Sequence, residues 1–252
     1  MWLSADRLLY VGLLGAPSAR TMGTVTAYVS SGGKLRLRVA GGAWQSGELA
    51  VVQPYIPHEV SADSPLIHVI QIEAETVDEA SLSGSLALTG VVEDPGLVCR
   101  VRDAVDWMRG RGEGLDLAST EFDSRLLGGV LVPRRLDPRI ARVIHAIRLD
   151  PAGMAAAREC ADSVGLSFSR FLHLFRGEVG APFRSFRTWK RARSLLQYVN
   201  REISLAHVAL DAGYPDSTHF SHSIRQVYGL RPKDIFAGSR RLAIYEPAAR
   251  VA

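Results

Sequence analysis

The chain has only two cysteines in 252 residues, Cys99 and Cys160, and they stand far apart. That excludes a disulfide framework and any Cys-x-x-Cys metal signature. Two unpaired thiols suit a reducing compartment, and the expectation is a cytoplasmic protein. Low-complexity runs are absent, and no apolar stretch is long enough to span a bilayer, so no membrane partner is expected. The start, MWLSADRLLYVGLLGAPSA, holds one short apolar run, but Asp6 interrupts the approach to it and only Arg7 supplies positive charge. It reads as a first β-strand rather than a secretory leader.

Charge is present in quantity but unevenly. Residues 1–130 carry 10 Lys and Arg against 16 Asp and Glu, a net of −6, whereas residues 131–252 carry 20 against 10, a net of +10. An acidic first half joined to a basic second half points to a polyanionic partner for the second half alone.

The first half has the pattern of strands. VTAYVS (25–30), LRLRV (35–39), ELAVVQ (48–53) and LIHVIQIEAE (66–75) are separated by SSGGK, AGGAWQSG and SADSP. In LRLRV the apolar residues Leu35, Leu37 and Val39 alternate with Arg36 and Arg38, which is period two with one buried face. From residue 97 the period lengthens: Leu97, Val101, Ala104, Val105 and Met108 predict an amphipathic helix that ends at Gly110, Gly112 and Gly114. A second helical segment follows near 121–131. VPRRLDP (132–138) is the expected linker, and Asp137-Pro138 predicts a capped helix start with Ile140, Val143, Ile144 and Ile147 as its buried stripe.

The second half contains a repeat. GLSFSRFLHLFRGEVGAP (165–182) aligns with GYPDSTHFSHSIRQVYGLRP (213–232): Gly165 with Gly213, Phe171 with Phe220, His173 with His222, Arg176 with Arg225, Gly180 with Gly229 and Pro182 with Pro232. A small residue precedes each glycine by four, Ala161 and Ala209, letting a second helix approach closely while the glycine permits the sharp turn. This is a duplicated helix-turn-helix. Ser167 and Asp216 or Ser217 are placed to cap the second helix of each unit. Outward residues are Ser169, Arg170, Leu172 and His173 in the first copy, and Ser217, Thr218, Ser221 and His222 in the second. They are of base-reading length, with Arg176 and Arg225 further along to meet phosphate. FRSFRTWKRARSLLQYV (183–199) reads as one long connecting helix with Phe186, Trp189, Ala192, Leu196 and Val199 on one side. Arg187, Lys190 and Arg191 crowd the other as further phosphate contacts. Such a helix would let two recognition helices enter successive major-groove turns about 34 Å apart.

His219 and His222 also invite a metal reading, and Ser, His and Asp together a catalytic triad. Only Asp216 is near enough to be a third ligand, Cys is absent, and triad members normally converge from separate segments. No metal, cofactor or catalytic residue is expected, and the chain is not read as an enzyme.

Residues 137–240 resemble the C-terminal domain of AraC/XylS-type transcriptional regulators. The matching features are the Ala161…Gly165 and Ala209…Gly213 turns, the Phe171…Phe175 and Phe220…Ile224 helices, and the Gly180-x-Pro182 and Gly229-x-x-Pro232 endings. The resemblance implies that Ser169, Leu172 and His173, with Ser217, Thr218, Ser221 and His222, face DNA bases. Three positions depart from the family pattern: His173 and His222 stand where Arg is common, and Ile224 where Phe is usual. Leu172 can make only an apolar contact, such as with a thymine methyl.

GELAVVQPYIPHEV (47–60) resembles the strand-turn-strand of cupin-like barrels that carry a Pro-His pair, here Pro57-His58. In the family such a half binds an effector and helps form a dimer. A cupin metal would need more histidines than His58 and His68, and TMGTVTAYVS contains no His-x-His. Tyr28, Trp44, Tyr55 and His58 are candidates to line an effector pocket, and Arg36 and Arg38 to meet an anionic effector; each is also explained as plain core or exposed strand face.

The expectation is therefore an α+β protein: residues 1–131 a cupin-like β-barrel with flanking helices, 132–136 a linker, 137–240 an all-α domain of two helix-turn-helix units joined by a long helix, and 241–252 a C-terminal tail. Its expected function is sequence-specific transcription regulation, as an activator controlled by a small-molecule effector. The expected partners are double-stranded promoter DNA, the effector, RNA polymerase and a second copy of the chain. The alternatives are a ligand-independent dimeric regulator and a metal-dependent cupin enzyme fused to a DNA-binding domain.

Overall fold

The computed structural model describes residues 1–82, 84–111, 118–153, 156–200, 203–238 and 242–245. The chain divides into two compact units, Met1–Arg134 with Arg241–Ala252, and Arg135–Arg240. The fold is α+β, with sheets in the first unit and helices in the second.

Among the described residues of the first unit, nine strands form two antiparallel sheets. They are β1 (Trp2–Leu3), β2 (Arg7–Leu13), β3 (Thr24–Ser30), β4 (Leu35–Val39), β5 (Trp44–Gly47), β6 (Leu49–Val52), β7 (His58–Ala62), β8 (Leu66–Glu73) and β9 (Gly90–Val92). Six run in the order β1-β2-β8-β3-β6-β9 and three in the order β5-β4-β7. The expected strand-turn-strand around Pro57-His58 runs between the sheets: β6 belongs to the larger and β7 to the smaller, so residues 53–57 carry the chain from one to the other. Strand alternation gives the central strands two buried faces of opposite character. Val25, Ala27, Val29, Leu49, Val51, Ile70 and Ile72 share an apolar core with Leu97, Val101, Val105, Phe122 and Leu126, on α1 (Pro95–Arg111) and α2 (Ser119–Leu127). The opposite face is polar at Thr24, Thr26 and Gln71, which are also buried.

Gly110 does not stop α1, which runs to Arg111; Gly112 and Gly114 lie outside the described residues. Arg7 on β2 makes a buried two-point ion pair with Asp123 on α2, at 2.7 and 2.9 Å. The start of the expected linker is tied down: Val132 accepts from the Asp78 N–H, and the Arg134 N–H donates to Thr76. Of the expected tail, residues 242–245 are described and the others lie outside the described residues. Tyr245 pairs in parallel with Trp2, its N–H donating to Met1 O and its carbonyl accepting from the Leu3 N–H, each at 2.9 Å.

The second unit contains α3 (Pro138–Leu149), α4 (Ala157–Ser163), α5 (Phe168–Val179), α6 (Phe183–Ser194), α7 (Leu205–Asp211), α8 (Ser217–Tyr228) and α9 (Pro232–Gly238). α3 begins as its sequence predicts, with the Asp137 carboxylate accepting from the Arg139 N–H at 2.9 Å and Ile140, Val143, Ile144 and Ile147 buried. The helix expected over 183–199 is α-helical to Ser194 and then tightens to a 3-10 turn over Leu195–Tyr198. At about three residues per turn the stripe advances from Ala192 to Leu195 rather than Leu196, and Leu195 is the residue that is buried. Among the described residues no helix is long and apolar enough to cross a membrane.

Candidate nucleic-acid interface

The turns of the two helix-turn-helix units share the same pair of backbone hydrogen bonds. In the first, the Leu166 N–H donates to Ala161 O and the Gly165 N–H to Asp162 O; in the second, Tyr214 donates to Ala209 O and Gly213 to Leu210 O. Both glycines are left-handed, at φ +67° and +71°, as a tight helix exit requires. Ala161 and Ala209 are buried, so each first helix meets its second at a side chain one carbon long. The second helices then end alike, on Gly180 and Gly229 at φ +77° and +71°.

Caps fix where each recognition helix begins. Ser167 Oγ accepts from the Arg170 N–H at 3.4 Å. In the second copy Asp216, not Ser217, is the cap: Oδ1 accepts from the Thr218 and His219 N–H groups, both at 2.8 Å, and Oδ2 lies 2.7 Å from His219 Nδ1. These bonds, led by the His219 N–H, hold the Asp216 carboxyl below its ordinary pKa. Among the described residues no three His, Cys, Asp or Glu side chains gather as a metal ion would need.

An aromatic core joins both units to α6. Phe175 packs against Phe183 and Phe186 with ring centroids 5.0 and 5.3 Å apart, and Phe171 lies 5.1 Å from Phe183. At the other end Trp189 lies 6.2 Å from Tyr228, whose hydroxyl donates to Ala192 O at 3.1 Å. Tyr214 stacks edge-on against Phe220 and bonds Ser223 at 3.0 Å. α5 and α8 are thus each seated on the same rigid helix.

With the apolar faces consumed in this way, the outward residues are those expected. Ser169, Arg170, His173, Ser217, Thr218 and His222 are exposed, Leu172 and Ser221 half-buried, and Arg176 and Arg225 exposed one turn on. Arg187 and Arg191 are half-buried, lying 5.8 Å over Phe183 and 5.9 Å over Tyr214 respectively. Lys190 departs from its expected role. It is only 5% exposed, with Nζ 5.2 Å from the centroid of Phe186. It follows Phe186 by four residues and so shares that residue's inward face, which leaves it off the exposed basic surface.

The expected effector residues separate into two groups. Arg36, Arg38 and Trp44 lie on the outer face of the smaller sheet: Arg36 is exposed, Arg38 is held by Glu59 at 2.6 Å, and Arg38 lies 4.9 Å over Trp44. Tyr28 and His58 are buried together inside, with the Tyr28 hydroxyl 2.7 Å from His58 Nε2. Tyr55 stands apart from both, in the connection between the sheets at φ +62°, its N–H donating to Met22 O at 2.7 Å. Sequence reasoning missed Arg20, whose backbone pairs with His58 and whose guanidinium bonds Tyr28. A lone arginine in a loop has no periodicity to reveal its burial.

Residues 160–238 match a family model described as a helix-turn-helix domain. The invasion protein InvF of Salmonella typhi and of Salmonella typhimurium are each 29% identical over 79 residues, 31% of this chain. The match spans only 37% of those relatives' length. Among solved structures, apo ToxT of Vibrio cholerae aligns with 92% of this chain and 97% of its own, at 10% identity and a TM-score of 0.62. ToxT with an unsaturated fatty acid bound aligns over 92% and 95%, at 11% identity and a TM-score of 0.57. At such identities the likeness is one of fold. The helix-turn-helix match thus falls within the second unit, and the likeness of fold extends over both units.

Proposed function

We propose that the chain is a sequence-specific DNA-binding transcription regulator, an activator that acts in the cytoplasm with RNA polymerase and is controlled by a small molecule held in its first unit. The observation that carries this reading is the pair of exposed, capped recognition helices seated on α6. Ser, Thr and His side chains near the start of each helix have donors and acceptors suited to base edges in the major groove. Arg176 and Arg225, beyond them, suit phosphate oxygens, which fix register without reading sequence. The helix-turn-helix match supports the DNA-binding part of this reading. The fold shared with a fatty-acid-binding ToxT supports an effector in the first unit. Effector binding would shift the balance between domain arrangements and so change how the basic unit engages a promoter. A second copy of the chain would place two such units on one promoter.

The test is capture of genomic DNA fragments on the purified full-length chain at moderate salt, followed by sequencing. Enrichment of a motif with two short elements about one helical turn apart is expected. Uniform retention of fragments without a shared motif would overturn sequence-specific recognition.

A further inference from the structure

The interior of the first unit carries an open guanidinium edge. Arg20 is 7% exposed, and its Nε and Nη2 groups are buried without a hydrogen-bond partner. The rest of its surroundings is ordered around it. Its backbone exchanges two hydrogen bonds with His58, at 2.9 and 3.0 Å, and its guanidinium bonds the Tyr28 hydroxyl. The His58 ring donates from Nδ1 to Ile56 O at 2.9 Å, which leaves Nε2 to accept from Tyr28. Gln71 lies in register with Thr26 on the same face of the sheet as Tyr28. Its Nε2 donates to Met22 Sδ at 2.9 Å, and its Oε1, an acceptor, is buried without a partner.

The helix-facing side of these strands is lined by Val, Ala, Leu and Ile, whereas this side sets Thr24, Thr26, Tyr28, Gln71 and Glu73 among Ala50, Val52 and Val69, with His58 of the smaller sheet against them, all buried. Two guanidinium N–H groups buried without acceptors are costly, and arginine does not relieve that cost by losing its proton. Nε–H and Nη2–H lie along one edge of the guanidinium, spaced for the two oxygens of a carboxylate.

We propose that the first unit binds a small carboxylate, with its two oxygens on Nε and Nη2 of Arg20 and with Tyr28 and His58 beside it. The site rests on the effector reading above and names the effector's chemical class.

The test is thermal unfolding of the full chain at constant ionic strength with acetate, hexanoate or benzoate, each against its uncharged amide, and with inorganic phosphate. At least one carboxylate is expected to raise Tm in a saturable way while its amide does not, and Arg20→Gln is expected to abolish the response. Should that variant fail to fold, Arg20→Lys keeps the charge but loses the fork, and carboxylate affinity is expected to drop at least about tenfold. The proposal is overturned if no carboxylate acts, if phosphate acts alone, if the amides act equally, or if the Arg20 variants respond like the parent. Promoter-type DNA capture by the same preparation keeps the two readings separable: capture with no carboxylate response overturns the ligand class and leaves DNA recognition standing.

Discussion

The Tyr28 hydroxyl donates a 2.7 Å hydrogen bond to Nε2 of a neutral, buried His58. Burial, with Arg20 adding repulsion, pushes the imidazole down to about 4 from an ordinary 6.5, and burial pushes the Tyr28 phenol up to about 12. Both groups are therefore uncharged in the folded state at neutral pH.

A pH dependence follows from the depressed histidine. Between pH 4 and 6.5 the unfolded chain holds a proton on His58 that the folded chain does not, so stability falls as pH drops through that window and is fully present above it. The difference amounts to roughly 3 kcal/mol over the whole window, as an order of magnitude. His58→Gln is expected to flatten this part of the pH profile in urea unfolding. A variant profile as steep as the parent's would assign the slope to other groups.

The two turn glycines make a matched pair. Gly165 and Gly213 share a left-handed backbone, but a Cβ on Gly165 would meet nothing within 4 Å, whereas one on Gly213 would stand 2.5 Å from Ala152 O. Gly165→Ala is expected to cost about 1 kcal/mol, for conformation alone. Gly213→Ala adds a steric clash with backbone, for about 2–4 kcal/mol in total. Equal losses on denaturant unfolding would show that the clash at Gly213 relaxes without cost.

On the recognition helix, His222 and Arg225 are separable by their effect on specificity. His222→Ala is expected to weaken specific binding by about 1–3 kcal/mol and non-specific binding much less, as loss of a base contact does. Arg225→Ala is expected to weaken both alike and to lower the salt slope by about one. Equal loss on both DNAs would remove His222 from base reading, and an unaltered slope would deny Arg225 a phosphate.

Lys190 and Arg176 form the corresponding contrast among the basic residues. Lys190→Met keeps most of the buried volume beside Phe186, so the salt dependence of DNA binding is expected to stay as it was. Arg176→Ala, on the exposed face, is expected to lower the slope by about one. A flattened slope in Lys190→Met would place that amine on the DNA after all.

The sequence by itself determined the second unit almost entirely. Its information is local: a capped helix start at Asp137-Pro138, a glycine four residues after a buried alanine, and aromatic residues at helical spacing. Each is enforced by neighbours a few positions away, and the duplication shows every feature twice. The same periodicity placed the outward residues of α5 and α8 on their exposed faces. It left the side of Lys190 open, because a basic cluster read by composition does not say which member lies four residues from a core phenylalanine.

Tertiary structure decided the rest. Alternation in β4 correctly gave one buried and one outward face, but no local rule says that β6 and β7 join different sheets, or that Tyr245 returns to pair beside Trp2. Hydrogen bonds between strands are made by backbone atoms common to all residues, so register and partner depend on what the whole sheet buries. Arg36 and Arg38 were legible as arginines, and Tyr28 and His58 as polar aromatics. Only the folded chain puts the first pair outside and the second inside against Arg20, because burial of a loop arginine is set by the strands that close over it.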